Sequence, residues 1–244
     1  MTAGWEDRAE SWIEWTRRPN FDAYWAYRQT FLEDVLPAPG HATLEIGCGE
    51  GRVARDMARR GHSVTAIDAS PTLIEAAVAS GGDSESVYRL ANAAQLPFAD
   101  SSFDVVVAYN SLMDVEDMPA VVLEACRVLT REGTLAVCVT HPLCDAGTFT
   151  GHSPDSPFVI EHSYRGERTF EAVVERDGMT MDFGGYKYDL ESYARAFEDA
   201  GLAITRVREP GPNLQSGVVQ PGLERGIRIP YFLMLRLSKH GRNE

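Results

Sequence analysis

A glycine-rich loop between an apolar segment and a helical segment is the feature that most constrains the fold of this chain. The loop lies in Leu44–Gly51, and Asp68 ends the next apolar run. Glycines let the backbone approach a ligand closely where loop amides and a helix N-terminus converge. An acidic residue about 20 positions further along a βαβ unit can accept hydrogen bonds from both hydroxyls of a ribose. Together the two features predict a nucleoside-cofactor site in an α/β fold.

The residues that follow the loop discriminate between kinds of cofactor. A dinucleotide loop needs a third small residue three positions after its second glycine, so that helix and strand pack closely over a pyrophosphate. Here that position is Arg52. A phosphate-binding P-loop needs a Gly-Lys-Ser or Gly-Lys-Thr ending, which this loop lacks. The sequence therefore disfavours both a dinucleotide-binding loop and a P-loop. A nicotinamide-dependent oxidoreductase, in which Asp68 would bind the ribose of the dinucleotide, stays open as an alternative.

Short apolar runs alternate with helical stretches beyond residue 40, which predicts right-handed βαβ crossovers and a parallel sheet. The run at Phe103–Tyr109 is typical of a strand that is buried on both faces. The predicted strands are Ala42–Gly47, Ser63–Asp68, Val87–Leu90, Phe103–Tyr109, Gly133–Thr140, Ala203–Arg208 and Tyr231–Leu237. The predicted helices are Arg52–Arg60, Pro71–Ser80, Pro119–Leu129 and Leu190–Ala200.

Several motifs, in order, resemble those of class I S-adenosylmethionine-dependent methyltransferases, in particular the small-molecule, type 11-like branch. Glu45–Gly51 resembles the first motif and Asp68 the second; Asn92–Phe98 and Ser102–Val106 resemble the third and fourth. The resemblance covers residues 40–141 and, more loosely, 186–239. It implies a doubly wound, Rossmann-like sheet of seven mostly parallel strands with an antiparallel last strand. It also implies S-adenosylmethionine as the cofactor.

The resemblance further implies a set of cofactor-binding residues. Asn92 stands where the family usually has an aspartate that accepts from the adenine amino group; an asparagine carbonyl can accept the same bond without charge assistance. Arg52 has three open roles: neutralising Glu45, touching the methionine carboxylate, or lying solvated on its helix. The predicted cofactor-binding residues are Glu45, Gly47, Cys48, Gly49, Arg52, Asp68, Ala69, Asn92, Ala93 and Tyr109.

A catalytic base is less clearly marked. His141 directly follows the fifth predicted strand, in a His-Pro pair that resembles one in many small-molecule methyltransferases. Imidazole titrates in the useful range, so His141 is the predicted catalytic residue, with a histidine bonded only to backbone as the alternative. His152 and His162 are further candidates. The His-Arg pair that the group often carries before its last helix is replaced here by Lys187 and Tyr188.

Two segments fall outside this scaffold within what is predicted to be a single domain over residues 1–244. Residues 1–36 carry eight aromatic residues at roughly helical spacing, which predicts a helical pair that covers the cofactor cleft or only packs as core.

Residues 142–187 combine a Gly- and Pro-rich loop with β-like runs at 158–164, 169–174 and 179–183. This insertion after strand five is placed to roof the active site, or only to pack or dimerise. The cofactor-binding core is 40–141, and residues 188–239 complete the sheet.

The composition of the chain narrows the classes of molecule that it is expected to bind and its expected location. The net charge of −13 disfavours nucleic acid and anionic membrane surfaces. The sequence shows neither a long apolar run nor a leader, so the cytoplasm is the expected location. The four cysteines have no zinc-like spacing, and we expect reduced thiols and no metal.

Methyl transfer from a sulfonium needs alignment of the acceptor and, for hydroxyls or amines, loss of a proton. The predicted function is therefore S-adenosylmethionine-dependent methylation of a hydroxyl or amine on a small molecule, as in secondary metabolism. A cofactor-binding protein that serves a non-methylating or regulatory role is the alternative, and a macromolecular methyltransferase is a weaker one. The sequence leaves open whether the protein forms a homodimer.

Overall fold

A seven-stranded sheet in the order β10-β11-β5-β4-β1-β2-β3 organises the computed structural model, which describes residues 4–40, 42–80, 86–161, 163–218 and 220–240. Strand β11 runs antiparallel to both of its neighbours, and the pairs among β1 to β5 are parallel. The strands are β1 (Thr43–Ile46), β2 (Val64–Asp68), β3 (Val87–Leu90), β4 (Phe103–Tyr109), β5 (Leu129–Thr140), β6 (Gly147–Phe149), β7 (Phe158–Ile160), β8 (Arg168–Arg176), β9 (Met179–Lys187), β10 (Leu202–Arg208) and β11 (Phe232–Lys239). The predicted fold class is confirmed, including the antiparallel last strand inserted into the sheet.

Helices cover both faces of the sheet. They are α1 (Trp5–Arg17), α2 (Tyr24–Thr30), α3 (Arg52–Ala58), α4 (Pro71–Ser80), α5 (Met118–Val128), the short α6 (Pro142–Asp145) and α7 (Leu190–Asp199), and a π-helical turn at Phe31–Val35 continues α2. Residues of α5 and α7 share one core with the sheet, and residues of α2 and α3 share the other. The continuous apolar sequence of β4 follows from this arrangement, since Val106 faces the first core while Val105 and Val107 face the second.

Most predicted boundaries lie close to those observed. The largest shift is in β5, which begins at Leu129 instead of Gly133. Leu129 pairs with Phe103 on β4 and is fully buried, so tertiary pairing extends the strand upstream of the glycine. Propensity within the segment itself does not show this extension, because the pairing partner lies far away in the chain.

The N-terminal segment forms two helices that pack against different parts of the protein. Tyr27 and Phe31, on α2 and its π-helical turn, are buried in the core beneath the sheet. In contrast, α1 packs on the insertion, where Trp15 and Met181 are buried together and Phe183 joins them. The aromatic residues therefore supply both core packing and a cover.

The insertion forms two antiparallel hairpins, β6–β7 and β8–β9, the second closing at Asp177–Gly178. The three predicted β-like runs all contain strands. Gly185 on β9 lies so close to the loop after β4 that an added Cβ would stand 2.7 Å from the carbonyl oxygen of Met113. This close approach brings the β8–β9 hairpin over the ends of the parallel strands.

Candidate active site

A cavity of about 980 Å³ opens at the carboxyl ends of β1, β2, β4 and β5. The loops after these strands form its floor, as expected for an open α/β sheet. Its roof consists of α1 and the β8–β9 hairpin, which contribute Trp5, Trp12 and Trp15, and Phe170, Val174 and Phe183. The cavity wall thus combines aromatic and apolar side chains with several carboxylates and with the cations of Arg52, Arg176 and Lys187.

The glycine loop, residues 47–51, wraps one end of the cavity. Gly47 has a φ of +69°, and a Cβ on it would meet the Cβ of Ser111 at 2.5 Å. Gly49 has a φ of +56°, and the ring of Trp12 lies against it. Both positions require glycine, because side chains are disfavoured in the left-handed region and because little room is left beside the loop. The backbone of the loop can therefore approach a ligand closely at this end.

Asp68 fixes the glycine loop to the end of β2. Its Oδ2 accepts from the Gly49 N–H at 2.8 Å, and its Oδ1 accepts from the Ser70 N–H at 2.9 Å. Burial raises the pKa of Asp68, and these backbone N–H groups oppose the shift. Each carboxylate oxygen has a further lone pair, so Asp68 can hold the loop and still accept hydrogen bonds from a ligand.

Glu45 supplies a second carboxyl at the same end. It is 1% exposed, and its Oε2 has no hydrogen-bond partner among the described residues. Burial first, and then the charges of Asp68 and Glu50, raise its pKa well above the usual range. A buried, unsatisfied carboxyl oxygen is costly without a partner, and a bound ammonium group would provide one.

Arg52 does not neutralise Glu45, and that part of the sequence prediction is wrong. Its guanidinium pairs with the carboxylate of Asp22 at 2.6 Å and lies over the ring of Tyr24, 4.3 Å from the centroid. Nor is Arg52 a solvated surface residue, since its side chain is 15% exposed. It still lines the cavity, where its charge is available to a ligand carboxylate.

The remaining predicted cofactor residues also line the cavity: Gly47, Cys48, Gly49, Ala69, Asn92, Ala93 and Tyr109. Asn92 caps its own loop, because its Oδ1 accepts from the Ala94 N–H at 2.9 Å. One lone pair of that oxygen is therefore already used. Tyr109 is buried beside Tyr24 and Phe31, which both meet its ring edge-to-face.

His141 does not lie in the cavity wall, contrary to the sequence prediction. Its Nδ1 accepts from the Leu143 N–H at 3.0 Å, which caps α6, and its Nε2 lies 2.7 Å from a carboxylate oxygen of Glu209. Both ring nitrogens are thus engaged in holding the chain after β5. His152 is exposed on the β6–β7 loop and is absent from the lining set. His162 lies outside the described residues.

The opposite end of the cavity carries a polar cluster that sequence reasoning missed in part. Asp145, at the end of α6, accepts from the Thr140 hydroxyl at 2.8 Å, and Lys187 Nζ lies 3.9 Å from its Oδ1. Of the two residues at the expected His-Arg position, Lys187 lines the cavity whereas Tyr188 is buried in the core. Nothing in a single sequence marks Asp145, because only the short helix after β5 brings it to this wall.

Cysteine chemistry plays no evident part in the site. All four cysteines are free thiols, and burial raises the pKa of Cys144, in the cavity wall, to about 12. Such a thiol is protonated at neutral pH and is a poor nucleophile. Within the part of the chain that the structure describes, no group of three or more His, Cys, Asp or Glu residues is arranged to hold a metal ion.

Comparison with known proteins agrees with this geometry. A family model described as a methyltransferase domain matches residues 44–137, the segment that holds the glycine loop, Asp68 and β4. The chain carries a class I S-adenosylmethionine-dependent methyltransferase domain. Its cofactor is S-adenosylmethionine. The unpaired oxygen of Glu45 fits the ammonium group of that molecule, and the Asp68 carboxylate fits its ribose. The glycine loop leaves room for the cofactor to lie against the backbone.

Two curated relatives show how far the similarity extends. Demethylmenaquinone methyltransferase of Tropheryma whipplei is 34% identical over 123 residues, which cover 50% of this chain and 50% of that protein. The O-methyltransferase resE of Aspergillus sclerotiorum is 37% identical over 178 residues, which cover 68% of this chain and 65% of that protein. The chain thus spans between half and two thirds of these relatives.

A solved structure extends the similarity in fold. The S-adenosylmethionine-dependent methyltransferase from Mesorhizobium loti has a TM-score of 0.68 and 23% identity, covering 88% of this chain and 97% of that one. The methyltransferase fold therefore continues through most of the chain, beyond the segment that the family model matches. No helix among the described residues has the length and apolar character needed to cross a membrane.

Proposed function

We propose that this methyltransferase transfers a methyl group to a hydroxyl or amine of a small molecule, as in secondary metabolism. One observation carries the proposal: the same cavity is lined by the residues expected to hold the cofactor and by a separate polar cluster beside aromatic walls. A volume of about 980 Å³ is at the upper end of small-ligand sites. It suits a cofactor and a small acceptor side by side.

The residues at the glycine-loop end are proposed to hold the cofactor. Asp68 would accept from the ribose hydroxyls, Glu45 would receive the ammonium group, and Arg52 would face the carboxylate. Ala69, Asn92 and Ala93 would border the adenine. When bound, S-adenosylmethionine supplies a methyl group already activated on a sulfonium sulfur, so that the protein need only align the acceptor, exclude water and accept a proton.

The shape of the site supports a small acceptor. Helix α1 restricts entry from above. Its residue Glu6 accepts a hydrogen bond from the Thr72 hydroxyl at 2.7 Å and so ties α1 to the start of α4. A polymer would have to displace this cover, and the net charge of −13 opposes a nucleic acid in particular. The names of the two curated relatives, one a demethylmenaquinone methyltransferase and one an O-methyltransferase, agree with transfer to a small molecule.

Calorimetry with S-adenosylmethionine and with its demethylated product S-adenosylhomocysteine tests the cofactor half of the proposal. Mass spectrometry after incubation with a panel of phenols, amines and carboxylic acids tests the transfer. We expect binding of both nucleosides and at least one product heavier by one CH₂ group. Binding without product from any acceptor would favour a non-methylating or regulatory role, and no binding by folded protein would refute the proposal.

A further inference from the structure

The polar cluster at the end of the cavity opposite the glycine loop contains a largely buried carboxylate that has few hydrogen-bond partners. The Asp145 side chain is 18% exposed and lines the cavity. Its Oδ2 accepts from Thr140 at 2.8 Å, while the nearest cation, Lys187 Nζ, stays 3.9 Å from Oδ1. That separation is too long for a direct hydrogen bond. Oδ1 thus keeps its acceptor capacity on the cavity side.

Lys187 is held beside this carboxylate by other contacts. Its Nζ donates to the backbone carbonyl of Asp145 at 3.3 Å and lies 4.9 Å from the centroid of the Phe170 ring. The ammonium group therefore stays near Oδ1 without occupying it. Phe170, from the roof, adds a flat apolar wall next to the charged pair. An aromatic ring that carries a hydroxyl fits this combination of a flat wall, an acceptor and a cation.

We propose that Asp145 is the catalytic base, accepting the proton of the acceptor's reacting hydroxyl, and that this hydroxyl belongs to a phenol. The proposal rests on the proposed methyl transfer. As the phenol oxygen forms its bond to the methyl carbon, the sulfur–methyl bond breaks, its electron pair stays on sulfur, and the hydroxyl proton passes to Asp145. Solvent takes that proton after the methyl ether leaves. Lys187 is a positioning residue that stabilises the negative charge growing on the oxygen.

The surroundings of Asp145 suit this role. Burial raises the pKa of Asp145, and the Thr140 hydroxyl and the nearby cations oppose the shift. A carboxylate with a pKa nearer to neutrality is a better base than an exposed one. Among the residues that the structure describes, the titratable or charged groups that act on Asp145 include His141, Cys144, Arg168, Lys187, Tyr193 and Tyr231.

Binding of 4-nitrophenol to protein saturated with S-adenosylhomocysteine tests the proposal without knowledge of the natural acceptor. This probe ionises near neutral pH, and its two forms absorb differently. In the wild type, the neutral phenol donates to Asp145 and the phenolate is repelled by it, so affinity falls as pH rises through the pKa of the probe. In Asp145→Asn, Lys187 has no counter-charge, and affinity rises over the same range. At the alkaline end we expect roughly tenfold tighter binding by the variant.

Glu209→Gln is the matched control. It removes a carboxylate that contacts His141 and is not part of the cavity lining, and we expect the wild-type pH dependence. The same sign of pH dependence in Asp145→Asn and the wild type, or no binding of the probe to the wild type, would overturn the proposal. S-adenosylhomocysteine affinity is measured alongside; it stays unchanged in Asp145→Asn, and its absence in the wild type would instead refute the proposed function.

A kinetic measurement separates a base from a residue that only shapes the pocket. With any phenol that the panel shows to be methylated, Asp145→Asn lowers kcat by roughly a hundredfold and changes KM much less. The rise of kcat with pH that reports ionisation of the base disappears in the variant. An unchanged kcat, or a loss confined to KM, would contradict the assignment.

Discussion

The guanidinium of Arg52 on α3 and the carboxylate of Asp22, in the link between α1 and α2, lie 2.6 Å apart. This pair ties the N-terminal cover to the helix that follows the glycine loop. Both side chains are largely buried, and both line the cavity. An interaction between residues this far apart in sequence thus joins the cover to the cofactor site.

Asp22→Asn is expected to destabilise the fold by about 3 kcal/mol, because it leaves the buried guanidinium of Arg52 without its counter-charge. The midpoint of urea unfolding measures this loss. Glu191→Gln is the control, since it breaks the exposed pair of Glu191 with Arg195 and should change stability by less than about 0.5 kcal/mol. Equal effects of the two substitutions would show that burial adds nothing to the Asp22–Arg52 pair.

Glu45→Gln is expected to stabilise the ligand-free protein and weaken cofactor binding. The pKa of Glu45 is raised in the folded state, so the unfolded state ionises more readily and the wild type loses stability as pH rises through the raised pKa. The variant should therefore unfold at a higher temperature than the wild type near neutral pH. The difference should vanish at a pH below the ordinary glutamate range.

Calorimetry provides the second half of this test. Loss of the carboxylate removes the expected partner of the cofactor's ammonium group, and the affinity for S-adenosylhomocysteine should fall roughly tenfold or more. Glu132→Gln, at an exposed position, should alter neither property. A Glu45→Gln protein that binds as tightly as the wild type would remove Glu45 from the cofactor site.

Gly47→Ala and Gly178→Ala form a matched pair at positive φ. Gly47 has a φ of +69° and would place a Cβ 2.5 Å from that of Ser111, whereas Gly178 has a φ of +78° and open space around it. We expect Gly178→Ala to cost about 1 kcal/mol from backbone strain alone. Gly47→Ala should cost clearly more in urea unfolding and should also weaken binding of S-adenosylhomocysteine. Similar costs would mean that the loop near Ser111 relaxes freely.

Glu6→Gln is expected to accelerate release of S-adenosylhomocysteine. Glu6 on α1 accepts from the hydroxyls of Ser70 and Thr72 at the start of α4, directly after Asp68 and Ala69, and so holds the cover down. Stopped-flow tryptophan fluorescence can follow release, since Trp5, Trp12 and Trp15 line the cavity. Glu10→Gln, on the same helix but exposed, is the control. Release at the same rate in both variants would exclude a role for this contact.

The same contact has a defined pH dependence. The hydrogen bond from Ser70, followed by that from Thr72, lowers the pKa of Glu6. The attachment is therefore complete above the ordinary glutamate pKa and is lost as pH falls through the lowered value. Wild-type release should accelerate in that acidic range and approach the Glu6→Gln rate. A rate that stays flat with pH would contradict this view of the cover.

The sequence predicted residues that the structure brings together at the glycine-loop end of the cavity. Glu45, the glycine loop and Asp68 follow one another within a single βαβ unit, so their relation depends on local structure that short-range patterns predict. Assignments across the cavity were less accurate. His141 occupies the expected position in the chain, yet its ring is used by the Leu143 N–H and Glu209, and no local pattern reveals a partner 68 residues away.

By itself, the sequence determined the sheet and the class of cofactor, because hydrophobic periodicity and the demands of a tight glycine turn act over a few neighbouring residues. Only the tertiary structure decided that Arg52 pairs with Asp22, that α1 and the β8–β9 hairpin close over the site, and that Asp145 and Lys187 meet at its far end. Those relations join segments distant in the chain. They depend on how helices and hairpins pack against the sheet, which the local pattern of residues does not specify.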